Sequence, residues 1–265
     1  MNNLEIKKLE ILKEYLKGLD KVILAFSGGI DSTFLLKVCK DILSDRVIPV
    51  TIVSPYIPSS EIEEIKKICK TLNIDNNIFI KIPIISSIKE NPKNRCYLCK
   101  KFMFSKILDE AKKLGINHII DGTNFDDTKD FRPGLAALKE LKIKSPLLEL
   151  GFTKKEIRNI SKDLKIKIWD KPPYPCLLTR LEFDEEITLE NLKRVEDAEK
   201  FILSLGFKEV RVRNHKDIAR IEVSSKERIN MFNTFLLDVI SIHLKKLGYK
   251  YVTLDLDGYK KGSLN

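Results

Sequence analysis

Short apolar runs alternate with amphipathic stretches through most of the chain. The runs typical of buried strands are residues 21–26, 46–53, 77–83 and 118–120. The stretches with helical periodicity are residues 3–17, 31–44, 59–72, 102–114, 133–141 and 153–164. Strands that alternate with helices predict an α/β fold with a doubly wound, mainly parallel sheet. Because ligands bind beyond the carboxyl ends of such strands, we expect a site around the first strand–helix turn and residues 121–124.

The pattern changes after a proline-rich segment at residues 171–175. Beyond it, helical periodicity covers residues 189–205 and 228–247, and alternation typical of strands covers residues 209–213, 218–223 and 251–256. The polar residues between the first two of these strands indicate a hairpin. We therefore expect two domains, an α/β domain over residues 1–170 and a smaller α+β domain over residues 171–265.

The composition agrees with a globular protein, since 43% of the 265 residues are hydrophobic and 32% are charged. No segment approaches the ~20 apolar residues that a membrane helix needs, and residues 1–8 lack the apolar core of a signal peptide. We expect a cytoplasmic protein with no membrane association. The net charge of +10 favours phosphorylated ligands. Because the lysines are scattered and no dense arginine tract is present, we interpret them as a solvated surface and expect no nucleic-acid partner.

The turn after the first predicted strand carries the clearest chemical motif. It reads Ala25-Phe26-Ser27-Gly28-Gly29-Ile30-Asp31-Ser32. A glycine turn at the start of a helix presents backbone N–H groups at the positive end of the helix dipole, which is a site for anions. Paired glycines let the backbone approach a phosphate closely, and the serines add hydroxyl donors. The lysine of the kinase-type phosphate loop is absent. This shorter motif resembles the loop of the PP-loop ATPases, which cleave ATP between its α and β phosphates.

The five cysteines fall into two groups. Cys39 and Cys69 lie on the apolar stripes of predicted helices, where cysteine packs as a small hydrophobe. Cys96, Cys99 and Cys176 lie in polar or proline-rich surroundings, which in a cytoplasmic protein indicates metal, redox or packing roles rather than disulfides. Three thiolates without a clear fourth ligand suit a [4Fe–4S] cluster with one open iron. A zinc site, a Cys-x-x-Cys redox pair and unrelated surface cysteines are the alternatives.

Cys176 follows the stiff proline-rich segment and is itself followed closely by Arg180. Prolines restrict the backbone and can hold a loop against a site. The guanidinium of Arg180 could there bind a phosphate or an adenylated carboxylate. The alternative is a linker cysteine beside an arginine on a solvated face.

Motifs along almost the whole chain resemble the LarE family, the ATP-dependent sulfurtransferases that build the nickel-pincer cofactor of lactate racemase. The motifs are residues 25–32, 121–124, 131–135, 145–147, 169–172 with Cys176 and Arg180, 210–215, 219–223, 256–259 and 262–265. The resemblance implies a PP-loop ATP pyrophosphatase domain followed by a substrate-binding domain.

The resemblance implies a reaction in two stages. ATP adenylates a carboxylate of pyridinium-3,5-biscarboxylic acid mononucleotide and releases pyrophosphate. Sulfur then displaces AMP to give a thiocarboxylate, and a second round converts the other carboxylate. Adenylation is needed because a carboxylate is a poor electrophile, whereas AMP is a good leaving group. The family also implies an external sulfide donor and a homo-oligomeric enzyme.

The resemblance further implies which residues act in each stage. The expected ATP-binding residues are Ala25, Ser27, Gly28, Gly29, Asp31, Ser32 and Gly122. Asp31 would help to hold Mg²⁺, which neutralises the phosphates. Arg211 and Arg213 match the substrate-phosphate site of the family, and they alternate onto one face of a strand, where both forks could bind one phosphate. The expected catalytic residues are Cys176, Asp31 and Arg180.

Two kinds of LarE differ in their source of sulfur. One kind sacrifices the sulfur of a single cysteine, which becomes dehydroalanine, and Cys176 occupies that position. The other kind carries three cysteines and a [4Fe–4S] cluster whose open iron can hold an added sulfide. Because Cys96 and Cys99 are present, the resemblance implies the cluster kind, with Cys96, Cys99 and Cys176 as metal ligands.

Three other functions compete with this interpretation. A PP-loop tRNA thiolase also joins adenylation to a three-cysteine cluster, but the arginine hairpin and residues 262–265 favour LarE, and zinc-ribbon cysteine pairs are absent. A glutamine-dependent amidotransferase subunit would not need the cysteines. A non-catalytic nucleotide or iron–sulfur binding protein would bind ATP without releasing pyrophosphate, and the intact loop argues against it.

Overall fold

The computed structural model of the protein describes residues 1–129, 133–171 and 174–260. The helices in these residues are α1 (Asn3–Lys17), α2 (Ile30–Leu43), α3 (Ser59–Thr71), α4 (Arg95–Leu114), α5 (Gly134–Glu140), α6 (Pro146–Glu149), α7 (Lys154–Asp163), α8 (Leu189–Ser204) and α9 (Thr234–Lys246). The strands are β1 (Val22–Ala25), β2 (Val47–Val53), β3 (Ile78–Lys81), β4 (His118–Asp121), β5 (Val210–His215), β6 (Ile218–Val223) and β7 (Tyr251–Leu254). Residues 131, 132, 172 and 262–265 of the family motifs lie outside the described residues.

A parallel sheet of strand order β3-β2-β1-β4 forms the centre of the first unit. The unit comprises Met1–Ser54, Ser59–Ile85 and Asn94–Tyr174. β1 and β2 are buried along nearly their whole length, which explains why their sequences are almost continuously apolar. The predicted parallel α/β sheet is therefore confirmed. Because β1 and β4 are neighbours, the loops that follow them meet at the same edge of the sheet.

A smaller sheet of order β5-β6-β7 forms the second unit, which comprises Pro55–Pro58, Ser86–Lys93 and Pro175–Asn265. β5 and β6 form the predicted antiparallel hairpin, and β7 adds parallel to β6. The core of this unit is apolar and includes Ile202, Val212 and Leu244. The predicted domain division at residue 170 stays a prediction.

Two helix starts differ from the prediction. α4 begins at Arg95 rather than at residue 102, because the Lys, Leu and Arg residues before the apolar stripe are themselves good helix formers. Cys96 and Cys99 therefore lie in the first turns of this helix, before its predicted start. α9 begins at Thr234 rather than at residue 228, because Asn233 caps it by accepting a 3.1 Å hydrogen bond from the Leu236 N–H. None of the described helices combines the length and apolar character that a bilayer crossing requires.

Candidate active site

The segment from Ser27 to Ser32, here called the nucleotide loop, begins just after β1 and leads into α2. Gly28 has a φ of 72°, in the left-handed region that residues with a side chain rarely adopt. A Cβ atom at Gly28 would lie 2.4 Å from Cγ1 of Ile65 in α3. Position 28 therefore requires glycine for both its conformation and its surroundings.

The first turn of α2 is built to accept an anion. Gly29 is the N-cap, and no side chain among the described residues caps this helix end. The first N–H groups of a helix have no partner within the helix, and the helix dipole gives them positive character. Ser27 Oγ lies 3.2 Å from Ser32 Oγ, and Ser32 donates a 3.0 Å hydrogen bond to the Gly29 carbonyl. Backbone donors and hydroxyls thus converge at one end of α2, as a phosphate group requires.

The carboxyl end of β4 lies against this turn. Ala25 of β1 is the register partner of Asp121 in β4. A Cβ atom at Gly122 would lie 2.8 Å from the Ser32 backbone nitrogen and 2.9 Å from its Cα. The absence of a side chain at Gly122 thus allows the close approach. The structure brings together all the residues expected to bind ATP: Ala25, Ser27, Gly28, Gly29, Asp31, Ser32 and Gly122.

Asp121 is a fixed, buried carboxylate at the same edge of the sheet. Its Oδ1 accepts a 2.6 Å hydrogen bond from the Ser145 hydroxyl, and its Oδ2 accepts a 2.5 Å hydrogen bond from the Thr123 hydroxyl. Lys100 of α4 places its Nζ 3.7 Å from Asp121 Oδ2. The carboxylate therefore holds the β4 turn in place and also faces a cation.

Asp31 lies in the first turn of α2, and its Oδ1 is buried with no hydrogen-bond partner in the part of the chain that the structure describes. Burial and the carboxylate of Asp127 raise the pKa of Asp31 to about 6, although Lys154 and Arg158 partly oppose the shift. A carboxylate that is costly to keep ionised gains most from a bound cation, and oxygen ligands suit Mg²⁺. The position of Asp31 thus fits its expected role.

Two cysteines pack in the interior, as predicted. Cys39 and Cys69 are buried, and burial raises the pKa of both thiols, that of Cys69 to about 11. Their thiols therefore stay protonated at neutral pH, as expected of packing residues.

The other three cysteines are accessible. Cys96 is exposed and Cys99 is half-buried in the first turns of α4, and the Cys99 Sγ lies 3.4 Å from the Met103 sulfur. Cys176 is half-buried and belongs to the second unit. Within the described residues, none of the three forms a disulfide. Within the described ranges, no three His, Cys, Asp or Glu side chains are already grouped as metal ligands.

Arg180 is buried in the second unit, with only 1% of its surface exposed. Its Nε and Nη2 donate to the two carboxylate oxygens of Glu199 at 2.8 and 3.0 Å. Its Nη1 lies 2.9 Å from the Pro175 carbonyl and 3.1 Å from the Cys176 carbonyl. Arg180 thus fastens the turn that carries Cys176 to helix α8, rather than presenting its fork at a surface where it could bind a phosphate.

Arg213 makes a second buried pair in the same unit. Its Nε and Nη2 donate to Glu222 at 2.9 and 2.8 Å, and its Nη1 donates to the Thr179 carbonyl at 2.5 Å. The guanidinium of Arg211 lies 4.8 Å from the centre of the Tyr259 ring. Arg211 and Arg213 are both on β5, but their guanidinium groups have different neighbours.

Glu199 and Glu222 are buried acidic partners that the sequence did not point to. With Arg180 and Arg213 they form what we call the arginine network. Glu199 also accepts a 2.9 Å hydrogen bond from the Val212 N–H of β5. A signal for Glu199 was available, because it falls within the apolar stripe of α8, where an unpaired carboxylate would be costly. Glu222 lies directly opposite Arg211 in the hairpin register but pairs diagonally with Arg213, which the register alone does not show.

Known proteins are similar to this chain over most or all of its length. The family described as NAD synthase matches residues 6–113. The pyridinium-3,5-bisthiocarboxylic acid mononucleotide synthase of Lactiplantibacillus plantarum is 36% identical over 100% of this chain and 96% of its own length. Uncharacterized proteins of Synechocystis sp. and Methanocaldococcus jannaschii are 39% and 35% identical, over 97% and 96% of each chain.

Proposed function

The chain belongs to the LarE family of ATP-using, adenylating PP-loop enzymes, and we propose that it converts the carboxylates of pyridinium-3,5-biscarboxylic acid mononucleotide into thiocarboxylates. The observation that carries this proposal is the similarity to the L. plantarum synthase, which extends over both units. We further propose that the first domain binds ATP and the second binds the mononucleotide. The products would be precursors of a nickel-pincer cofactor.

The proposed adenylation uses the nucleotide loop. A carboxylate oxygen of the substrate attacks the α-phosphorus of ATP, and the bond to the β-phosphate breaks as pyrophosphate leaves with the electron pair. The N–H groups at the start of α2 bind the negative oxygens of the phosphates. Asp31 and the hydroxyls of Ser27 and Ser32 are the residues here that would hold Mg²⁺ with the phosphates. A sulfide from an external donor then attacks the acyl carbon, and AMP leaves.

We propose that Cys96, Cys99 and Cys176 hold a [4Fe–4S] cluster. Cluster ligation needs thiolates. These three thiols are accessible and form no disulfide in the described residues, whereas burial opposes ionisation of Cys39 and Cys69. The donor chemistry therefore fits this set better than the two buried cysteines. When bound, such a cluster supplies an iron position at which sulfide can coordinate.

Iron and sulfide quantification after anaerobic reconstitution tests the cluster proposal independently of activity. We expect about four irons per chain in the wild type. Cys69→Ala, which removes a buried thiol, serves as the matched control and keeps the iron, whereas Cys96→Ala loses it. Equal iron content in the two variants would contradict the proposed ligand set.

For the second domain, we propose that β5 binds the phosphate of the mononucleotide through Arg211 and Arg213, as the family implies. Glu222 orients the fork of Arg213, and the ring of Tyr259 supports the guanidinium of Arg211. We assign Arg180 a positioning role, because its contacts hold the carbonyls of Pro175 and Cys176. It would fix the backbone that carries Cys176 without touching the substrate.

An anaerobic assay with the mononucleotide, MgATP and sodium sulfide tests the proposed reaction. We expect pyrophosphate and AMP to form together, only when the mononucleotide is present, and mass spectrometry to detect exchange of its carboxylate oxygen for sulfur. Asp31→Asn should lose the reaction. Asp41→Asn should keep it, because Asp41 lies near the other end of α2, paired with Lys37 on the surface.

The same assay separates the proposal from a tRNA thiolase, which the net charge of +10 would also suit. Sulfur incorporation into transfer RNA, with no reaction of the mononucleotide, would contradict the proposed substrate. Reaction of the mononucleotide and no sulfur in transfer RNA would support it.

A further inference from the structure

Lys100 is a cation at the edge of the nucleotide site to which neither the motif nor the family resemblance assigned a role. It lies on α4, and its half-buried side chain places Nζ 3.7 Å from Oδ2 of Asp121 and 5.8 Å from the centre of the Phe104 ring. The distance of 3.7 Å exceeds that of a hydrogen bond. Asp121 meanwhile accepts short hydrogen bonds from Ser145 and Thr123. Asp121 therefore attracts the ammonium group without occupying its donors.

A glycine makes room for the stem of this lysine. A Cβ atom at Gly134, in α5, would lie 2.9 Å from Cδ and 3.6 Å from Cβ of Lys100. Gly134 has no unusual backbone conformation that would itself demand glycine. The space beside Gly134 thus accommodates the side chain of Lys100 and sets its direction.

The position of Lys100 relates directly to the nucleotide loop. Asp121, which faces its ammonium group, is followed by Gly122, and Gly122 contacts the Ser32 backbone in the first turn of α2. The loop itself, residues 25–32, contains neither lysine nor arginine. A side-chain cation that contacts the outer phosphates of ATP, in addition to Mg²⁺, would therefore come from another element.

Other cations near Asp31 already have short contacts. Lys154 lies 2.8 Å from Oδ1 of Asp127. Arg158 donates to the carbonyls of Trp169 and Lys171 at 2.7 and 2.8 Å. Lys100, with its longer contact to Asp121, is the better placed of the three to give its donors to a ligand.

We propose that Lys100 binds the pyrophosphoryl end of ATP and stabilises pyrophosphate as it leaves. An ammonium group is a compact charge with three donors, which suits phosphate oxygens whose negative charge increases when the bond to the α-phosphorus breaks. This assignment rests on the adenylation step of the proposed function. Lys100 would act as a catalytic residue, and Gly134 as the residue that makes its position possible.

Binding of magnesium pyrophosphate and of MgATP, measured by isothermal titration calorimetry, tests the proposal. Lys100→Met should weaken both by about ten- to a hundredfold, because a hydrogen bond to a charged group is lost. Lys101→Met is the matched control, since Lys101 follows Lys100 on α4 but pairs with Glu140 on the surface. Binding by the control should stay within about twofold of the wild type.

Gly134→Ala provides a second variant that keeps the lysine. Its methyl group should displace the Lys100 stem and weaken pyrophosphate binding severalfold, while alanine favours the helix. The same change made in Lys100→Met should have no further effect, because the two act through one group.

The outcomes distinguish this assignment from its alternatives. If Lys100→Met binds pyrophosphate as Lys101→Met does, Lys100 is a structural partner of Asp121 or contacts the substrate carboxylate, and the proposal is overturned. If pyrophosphate binding depends on Lys100 but the wild type forms no thiocarboxylate, Lys100 keeps its assignment and the proposed function fails instead.

Discussion

The nucleotide loop and the arginine network both gather hydrogen-bond donors, but they use them in opposite ways. The loop presents backbone N–H groups and serine hydroxyls at a helix end that no described side chain caps. The network instead directs the forks of Arg180 and Arg213 at internal carboxylates, each of them almost fully buried. Open donors are available to a ligand, whereas satisfied donors fix the backbone around them.

Because of this difference, we expect substitutions in the two regions to affect different properties of the protein. A change in the loop should affect nucleotide binding and leave most of the fold intact. A change in the network should leave a buried carboxylate without its partner and so affect stability first. Variants that alter one region and leave the other intact test that contrast.

Arg180→Ala should lower the free energy of unfolding by about 3–5 kcal/mol, because it leaves the buried carboxylate of Glu199 without the guanidinium that balances its charge. Urea unfolding followed by circular dichroism measures the change. Lys250→Ala, which removes an exposed pair with Asp217 in the same unit, should cost about 1 kcal/mol or less. Nearly equal values for the two variants would show that the arginine network is not a stabilising feature.

The double variant Arg180→Met with Glu199→Met sharpens this test. Removing both charges should recover much of the lost stability, since the penalty comes from the unpaired carboxylate rather than from the missing contact. Recovery of folding without activity would show that Arg180 has a role in the reaction beyond stabilising the fold. A double variant as unstable as Arg180→Ala would contradict that explanation.

Gly122→Ala should weaken ATP binding by about ten- to a hundredfold, because a shift of the first turn of α2 would cost a hydrogen bond to a charged phosphate. The new Cβ would lie 2.8 Å from the Ser32 nitrogen and would push β4 away from the first turn of α2. Gly18→Ala is the control, because the atom nearest to a Cβ at Gly18, the Tyr15 carbonyl oxygen, would lie 3.4 Å away. Calorimetry measures the affinity of both variants for MgATP. Equal affinities of Gly122→Ala and Gly18→Ala would show that ATP binding does not require the close approach of β4 to α2.

Asp31→Asn should raise the free energy of unfolding of the ligand-free protein by about 2 kcal/mol or less at pH 7 to 8. The pKa of Asp31 is about 6 in the fold against 3.8 ordinarily, so keeping it ionised destabilises the fold above pH 6. That penalty declines as the pH falls from 6 towards 4 and is absent below the ordinary value. Urea unfolding of both proteins across this range should therefore show curves that converge at acid pH. If the difference in the free energy of unfolding between the two proteins grew as the pH fell, the pKa of Asp31 would not be raised.

Tyr259→Leu should weaken binding of the mononucleotide only a few-fold, because the contact of a cation with an aromatic face contributes about 0.5–1 kcal/mol at a partly exposed site. Tyr259→Phe keeps the ring and should bind as the wild type does. Titration of the mononucleotide into each variant provides the comparison. A loss in Tyr259→Phe would assign the effect to the hydroxyl instead of the ring supporting Arg211.

The sequence predicts the nucleotide loop well because its features are local. The turn at Gly28, the strand before it and the helix after it can all be inferred from neighbouring residues. The start of α4 was less predictable, because Asn94 forms no side-chain cap that would mark it. The helix therefore includes Cys96 and Cys99, which precede the helical periodicity predicted from residue 102.

The arginine network could not be predicted in the same way, because its partners are distant in sequence. Glu199 is 19 residues from Arg180, and the pairing depends on how α8 packs against β5 and the turn before it. The sequence shows that Arg180 and Arg213 are charged, but it does not show which acceptors their guanidinium groups bind. For that reason the sequence did not predict the ion pairs of Arg180 with Glu199 and of Arg213 with Glu222, and the ligand contacts expected of these arginines stay predictions.

We propose that the sulfur transferred by this enzyme comes from an external sulfide and is not taken from its own cysteines. Intact-protein mass spectrometry after many turnovers with the mononucleotide, MgATP and sulfide, under anaerobic conditions, distinguishes the two sources. We expect an unchanged polypeptide mass and more thiocarboxylate formed than enzyme present. Conversion of Cys176 to dehydroalanine, with product limited to the amount of enzyme, would instead identify Cys176 as the sulfur donor.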